Sequence, residues 1–312
     1  MNVFHALAEY NGNQPTVVTL GTFDGVHLGH KCIFQKLIKS SAHLNCQSLV
    51  LTFFPHPRMV LKKDDSIKLI NTIEEKTNQM QALGIDHLII HPFDDEFANL
   101  EAEEFVKTIL VDRFKMKKII IGYDHRFGKG GQADINDLIA FGKKYNFEVE
   151  QIVAQELDEV SISSTQIRNA LAQGDVSKAN AYLGYEYYFS GIVTQGKQLG
   201  RTIGFPTANI QLEQTYKLIP KVGVYIVSVL VDGQNFKGMM NIGTNPTVGD
   251  NAMTQEVHIL DFDRDIYNQK ITVVLHDKIR EQVKFDSLEH LKLQLAQDRK
   301  TTINYFSVHH TS

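Results

Sequence analysis

Residues 21–30 read GTFDGVHLGH and set two histidines, His27 and His30, three residues apart just after the apolar run of residues 16–20. Gly21 and Gly25 allow a tight strand-to-helix turn and let backbone approach a ligand closely. The helix that follows presents unpaired N–H groups and a partial positive charge at its start, which makes a phosphate site. Three-residue spacing puts both imidazoles on one helical face. There they donate hydrogen bonds to phosphate oxygens and to charge developing in a transition state, whereas a metal site needs further ligands that this segment does not display. A second candidate is GKQLGRTIGFPTANI, residues 196–210, with three glycines and two cations. Such a loop wraps phosphates with backbone N–H groups while Lys197 or Arg201 supplies charge. A third stretch, GYDHRFGKGG at residues 122–131, is not a Walker phosphate loop. Gly122 and Gly128 enclose five residues rather than four, and Gly130 stands where Ser or Thr is required.

The elements that must position these groups change character along the chain. Between residue 16 and about residue 153, short β-rich runs alternate with helical patterns, the mark of a parallel βαβ series. Its strands are continuously apolar, as when helices cover both faces of the sheet. A helix is expected from Leu28 to Leu44. Thr72 with Glu75 forms a capping box at another helix start, and Ser163 with Gln166 offers a third within SISSTQIRNAL. Beyond about residue 184 closely spaced strands take over, with Asp232-Gly233 as a hairpin turn, describing an antiparallel barrel or sandwich. Leu288, Leu291 and Leu295 share one face of a final helix expected to pack against that sheet. Domains of residues 1–183 and 184–312 follow, with the boundary near Ala181 to Gly184.

With 312 residues the chain is long enough for two cores, and 43% hydrophobic and 22% charged residues describe an ordinary folded protein. A net charge of -4 gives no footprint for nucleic acid. No segment approaches eighteen uninterrupted apolar residues and the N-terminus has no export pattern, so a cytoplasmic protein without membrane partners is expected. Cys32 and Cys46, in or beside one helix, lack metal-ligand spacing and read as buried or idle thiols.

The turn of residues 21–30 resembles the H-x-G-H signature of the nucleotidyltransferase superfamily, whose members join the α-phosphate of a nucleotide to another group. FFPHPR (residues 53–58), GYDHRFGKGG (122–131) and ISSTQIR (162–168) are similar, in order, to motifs of one family, the prokaryotic bifunctional riboflavin kinase/FMN adenylyltransferases. The loop at 196–210, with NIGTNPT (241–247) and QEVHILDF (255–262), resembles that family's riboflavin kinase pattern. The resemblance runs from about residue 16 to residue 306. It implies an α/β protein: a Rossmann-like nucleotidyltransferase domain with a parallel sheet, followed by an antiparallel β-barrel riboflavin kinase domain with a terminal helix.

The resemblance also implies residue roles. In adenylyl transfer, ATP falls to Gly21, Phe23, Asp24, His27, His30, Ser164, Thr165 and Arg168, with His27, His30 and Arg168 catalytic. Flavin contacts fall to Phe54, Asp124, Arg126 and Arg280, although a core phenylalanine and a surface ion pair are the plain readings of Phe54 and Arg280, and His125 stands where the family usually has Phe. The kinase site takes ATP with Gly196, Lys197, Gly200, Arg201, Pro206 and Thr207. Thr207 and Asn209 help hold Mg²⁺, and Glu256 falls at the catalytic carboxylate. The implied chemistry is phosphorylation of riboflavin to FMN by the second domain, then transfer of AMP from a second ATP to FMN by the first, giving FAD and pyrophosphate. The nearer alternative is an adenylyltransferase with an inactive kinase-like domain, and the further one a flavin-binding sensor or carrier. Oligomeric state is left open by the sequence.

Overall fold

The computed structural model describes residues 1–61, 63, 66–122, 126–152, 162–196, 198–244 and 253–309. The first of two compact units, residues 1–164, is built on β1 (Asn2–Phe4), β2 (Thr16–Leu20), β3 (Gln47–Phe53), β4 (His87–His91), β5 (Met116–Gly122) and β6 (Glu148–Ile152). All pair in parallel, in the order β1-β4-β3-β2-β5-β6. The expected series begins at β2; the edge strand β1, three residues long, is too short to show a period.

Side chains alternate across this sheet. Val18, Leu20, Leu49, Leu51, Ile119 and Ile121 face one core, and Val17, Val50, Leu88, Ile90 and Ile120 face the other, where they meet Ile33, Phe34 and Leu37 of α1 (Leu28–His43). Both faces are apolar, so the strands read as unbroken hydrophobic runs. Among the described residues, the other α-helices of this unit are α2 (Pro57–Leu61), α3 (Ile73–Ala82), α4 (Asp95–Ala98), α5 (Ala102–Glu104) and α6 (Ile135–Tyr145). Both halves of the Thr72/Glu75 box are made: Glu75 N–H donates to Thr72 Oγ1 at 3.1 Å and Thr72 N–H to Glu75 Oε2 at 2.9 Å. Residues 105–113, helical in pattern, wind as a π-helix that buries Phe105, Val106, Ile109 and Leu110.

The second compact unit, residues 165–312, contains a closed antiparallel barrel in the order β10-β11-β8-β7-β12-β9, not a sandwich. Its strands are β7 (Tyr188–Thr194), β8 (Ala208–Leu212), β9 (Gly223–Val231), β10 (Gln234–Thr244), β11 (Met253–Ile259) and β12 (Lys270–Arg280). Asp232 and Gly233, at φ +49° and +77°, turn β9 into β10 as the two-residue hairpin requires. Helices α7 (Ser164–Gln173) and α8 (Val176–Leu183) precede the barrel. On α8, Asn180 donates from Nδ2 to Leu275 O at 2.9 Å and accepts from Tyr187 N–H at 2.7 Å, stitching the helix to β12 and to the start of β7. A short α9 (Leu199–Thr202) follows β7, and α10 (Leu288–His309) ends the chain. On α10 the buried positions are Asp298, Thr302 and Phe306. Leu291 and Leu295 are half-buried, but Leu288 is 53% exposed, because the later turns seat the helix.

Candidate active sites

The turn from β2 into α1 lies at the carboxyl end of a central strand, with β3 on one side and β5 on the other, where strand order reverses and open α/β sheets bind ligands. Phe23, Gly25 and Val26 sit at φ +45°, +92° and +41°. His27 occupies the N-cap position of α1, 5% exposed, and its ring stacks on His30 with centroids 3.6 Å apart and planes 23° from parallel. Phe23 stands edge-on to His30 at 5.3 Å and leans on Phe34 at 4.8 Å. The expected shared face of the two histidines is therefore a stacked pair wedged against an aromatic core.

Three clamps hold the turn. The buried Asp24 carboxylate accepts from Ile70 N–H at 3.0 Å and Asn71 N–H at 3.3 Å, and its carbonyl accepts from Ser164 Oγ at 2.8 Å. Lys76 Nζ, on α3, donates to Thr22 O at 2.7 Å, an oxygen that Thr52 Oγ1 also reaches at 3.2 Å. Burial above all, then the neighbouring charges of His27 and Lys76, hold the His30 imidazole well below its ordinary range. Burial lowers the Lys76 ammonium from 10.5 to about 8 against the opposing pull of Asp24. Lys76 carried no sequence signal: one turn beyond a capping box, it reads as a solvated lysine.

In the barrel, the glycine loop closes on strand β8. A Cβ built on Gly196 would overlap the Asn209 side chain, and one on Gly200 the Phe205 carbonyl. Phe205 N–H donates to Gly200 O at 2.8 Å and Gly204 N–H to Arg201 O at 3.4 Å, with Gly204 left-handed at φ +83°, so α9 ends in a Schellman turn that delivers Pro206 and Thr207. His258 on β11 fixes the next step: its Nδ1 lies 2.7 Å from Pro206 O, and its ring is edge-on to Phe205 at 5.3 Å. A carbonyl only accepts, so Nδ1 carries the proton. Burial, ahead of all other causes, lowers the His258 imidazole.

Register sets the row of polar groups beside that loop. Glu256 on β11 is directly opposite Asn209 on β8 and Asn241 on β10, and Asn209 is opposite Thr194 on β7. Directly paired residues share a face. Thr194, Asn209, Glu256 and Asn241 are all half-buried, while the alternating Val193, Ile210, Val257 and Ile242 are buried inside. Asn241 and His258 lie in the motifs NIGTNPT and QEVHILDF but take no role from them, although strand alternation places both on the face of Glu256.

Other expected residues are dispersed. Thr165, exposed, and Arg168, half-buried, lie in the first turns of α7, three apart on one helical face. Phe54 is half-buried and packs on the core that α1 also faces. Arg126 is exposed and pairs with Asp134 at 3.8 Å. Asp124, His125 and Lys197 lie outside the described residues, as does the Asn-Pro-Thr end of residues 241–247. Arg280 gives its guanidinium to the buried Asp298 of α10, from Nη2 at 2.7 Å and Nε at 3.1 Å.

A parallel sheet with a histidine-bearing glycine turn at the carboxyl end of a central strand, and a barrel that sets a glycine loop against a carboxylate, together define a two-unit nucleotide-dependent transferase. Family models match both parts: FAD synthetase over residues 10–166 and riboflavin kinase over residues 183–306. Proteins named bifunctional riboflavin kinase/FMN adenylyltransferase from Listeria monocytogenes and Escherichia coli (strain K12) are each 38% identical over 293 residues, covering 93% and 94% of this chain and 92% and 93% of theirs. A crystal structure described as a macrolide-efflux protein from Streptococcus pneumoniae matches with TM-score 0.88 and 31% identity, over 97% of this chain and 98% of that one. Among the described residues no helix is long and apolar enough to cross a membrane. The chain belongs to the bifunctional riboflavin kinase/FMN adenylyltransferase family.

Proposed function

We propose that the barrel phosphorylates the ribityl hydroxyl of riboflavin to give FMN and that the parallel-sheet unit transfers AMP from a second ATP to FMN, releasing pyrophosphate and FAD. The observation that carries this division is the placing of Glu256 directly opposite Asn209, beside the glycine loop. A sugar hydroxyl is a weak nucleophile, and Glu256 accepts its proton as it attacks. The FMN phosphate is already anionic and needs no base, and the turn of residues 21–30 offers N–H donors instead. Gly196, Lys197, Gly200, Arg201 and Pro206 wrap the kinase ATP. His27 and His30, with Ser164, Thr165 and Arg168, steady the α-phosphate and the leaving pyrophosphate. Asp24 serves as an anchor of the turn through Ile70 and Asn71. With α7 and α8 both counted with the adenylyl-transfer unit, the catalytic domains span residues 1–183 and 184–312.

The barrel residues suit Mg²⁺. Thr207 and Asn209 present hard oxygen donors, and Asn209 is pressed into the space a Cβ at Gly196 would fill. Bound there with phosphate oxygens and water, the ion would neutralise charge on the transferred group. The flavin contacts assigned to Phe54, Asp124, Arg126 and Arg280 belong to the same reading, with Arg280 acting through its hold on α10. We place the protein in the cytoplasm, acting on small molecules without nucleic acid.

The test is a chromatographic time course of riboflavin, FMN and FAD with MgATP. Glu256→Gln should slow FMN formation by about 10²–10⁴-fold and leave FAD formation from supplied FMN intact. His27→Ala should do the reverse, by about 10²–10³-fold. Equal damage to both steps by either change refutes the two-site assignment.

A further inference from the structure

The nucleotide turn is strained. Phe23 and Val26 are held left-handed, a state that costs bulky residues free energy and persists only where the surroundings enforce it. Much of the enforcement comes from residues 70–76, through the Asp24 carboxylate and the Thr22 carbonyl. Lys76 is the odd member of that support. It is 4% exposed, and among the described residues Thr22 O is the acceptor its ammonium is given. A buried cation with N–H groups to spare is a poor structural brace, since an apolar side chain of similar length would fill the space at lower free energy. The charges facing it are Asp24 in the turn, which favours the ammonium, and His30 on α1, which is disfavoured as an imidazolium by Lys76 and by the stacked His27. On its own helix, Glu75 is turned to the Thr72 N–H.

We propose that Lys76 is a positioning residue for adenylyl transfer, fixing the Thr22 carbonyl under the turn so that the stacked His27 and His30 meet the triphosphate as oriented N–H donors. This rests on the adenylyl-transfer reading of the turn. The ammonium acts from behind: it shapes the loop by one hydrogen bond and disfavours the His30 imidazolium by its field.

The full-length Lys76→Met and Lys76→Arg variants test it, with FAD formation from FMN and MgATP followed from pH 5 to 9 and FMN formation from riboflavin as the control for folding. Lys76→Met should lose at least tenfold in kcat for FAD formation, with KM for FMN within twofold and FMN formation unchanged. Its acid limb in kcat/KM should move to higher pH, because the His30 imidazole, freed of a neighbouring cation, protonates more readily. Lys76→Arg, keeping charge and donor, should hold the acid limb at the wild-type position and recover part of kcat. Wild-type kcat in Lys76→Met, an unmoved acid limb, or equal limb shifts in the two variants would each overturn the inference. If Lys76→Met loses both activities, Lys76→Arg decides by its limb alone. A wild-type enzyme that makes no FAD from FMN refutes the adenylyl-transfer reading itself, a different result from an active enzyme indifferent to Lys76.

Discussion

Gly29 is one of the two residues between the stacked histidines, and replacing it with alanine probes how tightly their geometry matters. It lies in α1 outside the left-handed region, so alanine is compatible with its backbone. The added Cβ would fall 3.2 Å from both Cε1 and Nδ1 of His27 and 3.6 Å from Ile162 O. Carbon contacts favour about 3.5–4.0 Å, so even to reach the near edge of that range the imidazole must recede by roughly 0.3–0.5 Å. It has little room: His30 is stacked 3.6 Å behind it, and Phe23 and Phe34 back His30 in turn. Misplacing a catalytic group by about 1 Å costs on the order of 10²-fold, so a shift of this size should slow FAD formation about fivefold to tenfold. Stability should barely change, because alanine gains about 0.4–1 kcal/mol through the unfolded chain and the tight contact offsets it. The assay is initial-rate FAD formation at saturating FMN and MgATP, with FMN formation as internal reference and a thermal melt alongside. A wild-type rate of FAD formation would refute the claim that the histidine stack is the working geometry.

Three further outcomes are expected. His258→Phe keeps the ring against Phe205 but removes the donor to Pro206 O; the KM for MgATP in FMN formation should rise several-fold, FAD formation from FMN should be unaffected, and urea unfolding should shift by about 1 kcal/mol. Asp298→Ala strands the largely buried Arg280 guanidinium and should destabilise the barrel unit by about 3 kcal/mol in the same assay. The third outcome concerns pH. Lys76 titrates near 8 when folded and near 10.5 when unfolded, so between these values the unfolded chain binds more protons and wild-type stability gains with pH. The stability gap between Lys76→Met and wild type should therefore narrow by up to about 1.4 kcal/mol per pH unit across that window and be flat below pH 7. A gap independent of pH would show that Lys76 is not the buried cation described.

What the sequence made legible followed from strong local patterns. The unbroken apolar runs of β2 to β5 announced a sheet covered on both sides, the Thr72/Glu75 pair marked the start of α3, and Asp232-Gly233 turned β9 into β10. His27 and His30 could be placed together because helical spacing alone sets their relation. Long-range contacts left no such trace. Nothing local distinguishes Lys76 from a surface lysine, since its burial depends on a turn fifty-four residues earlier in the chain. Asn209 belonged, by its motif, to a loop, and only pairing with Glu256 and Thr194 makes it a strand residue. Nor did the spacing of Leu288, Leu291 and Leu295 reveal that a buried aspartate pairing with Arg280 helps seat α10.

The ring of strands has a consequence for how such a site can change over evolutionary time. Thr194, Asn209, Glu256 and Asn241 hold neighbouring rungs of a sheet that closes on itself. A slip of one residue in any strand turns its member inward, and in a closed sheet the slip must be absorbed by both neighbours. Distances among these groups are therefore adjustable only in whole steps, never by gradual drift. Descendants of this barrel are free to remodel the connections at its rim, but the row of polar groups is inherited whole or lost.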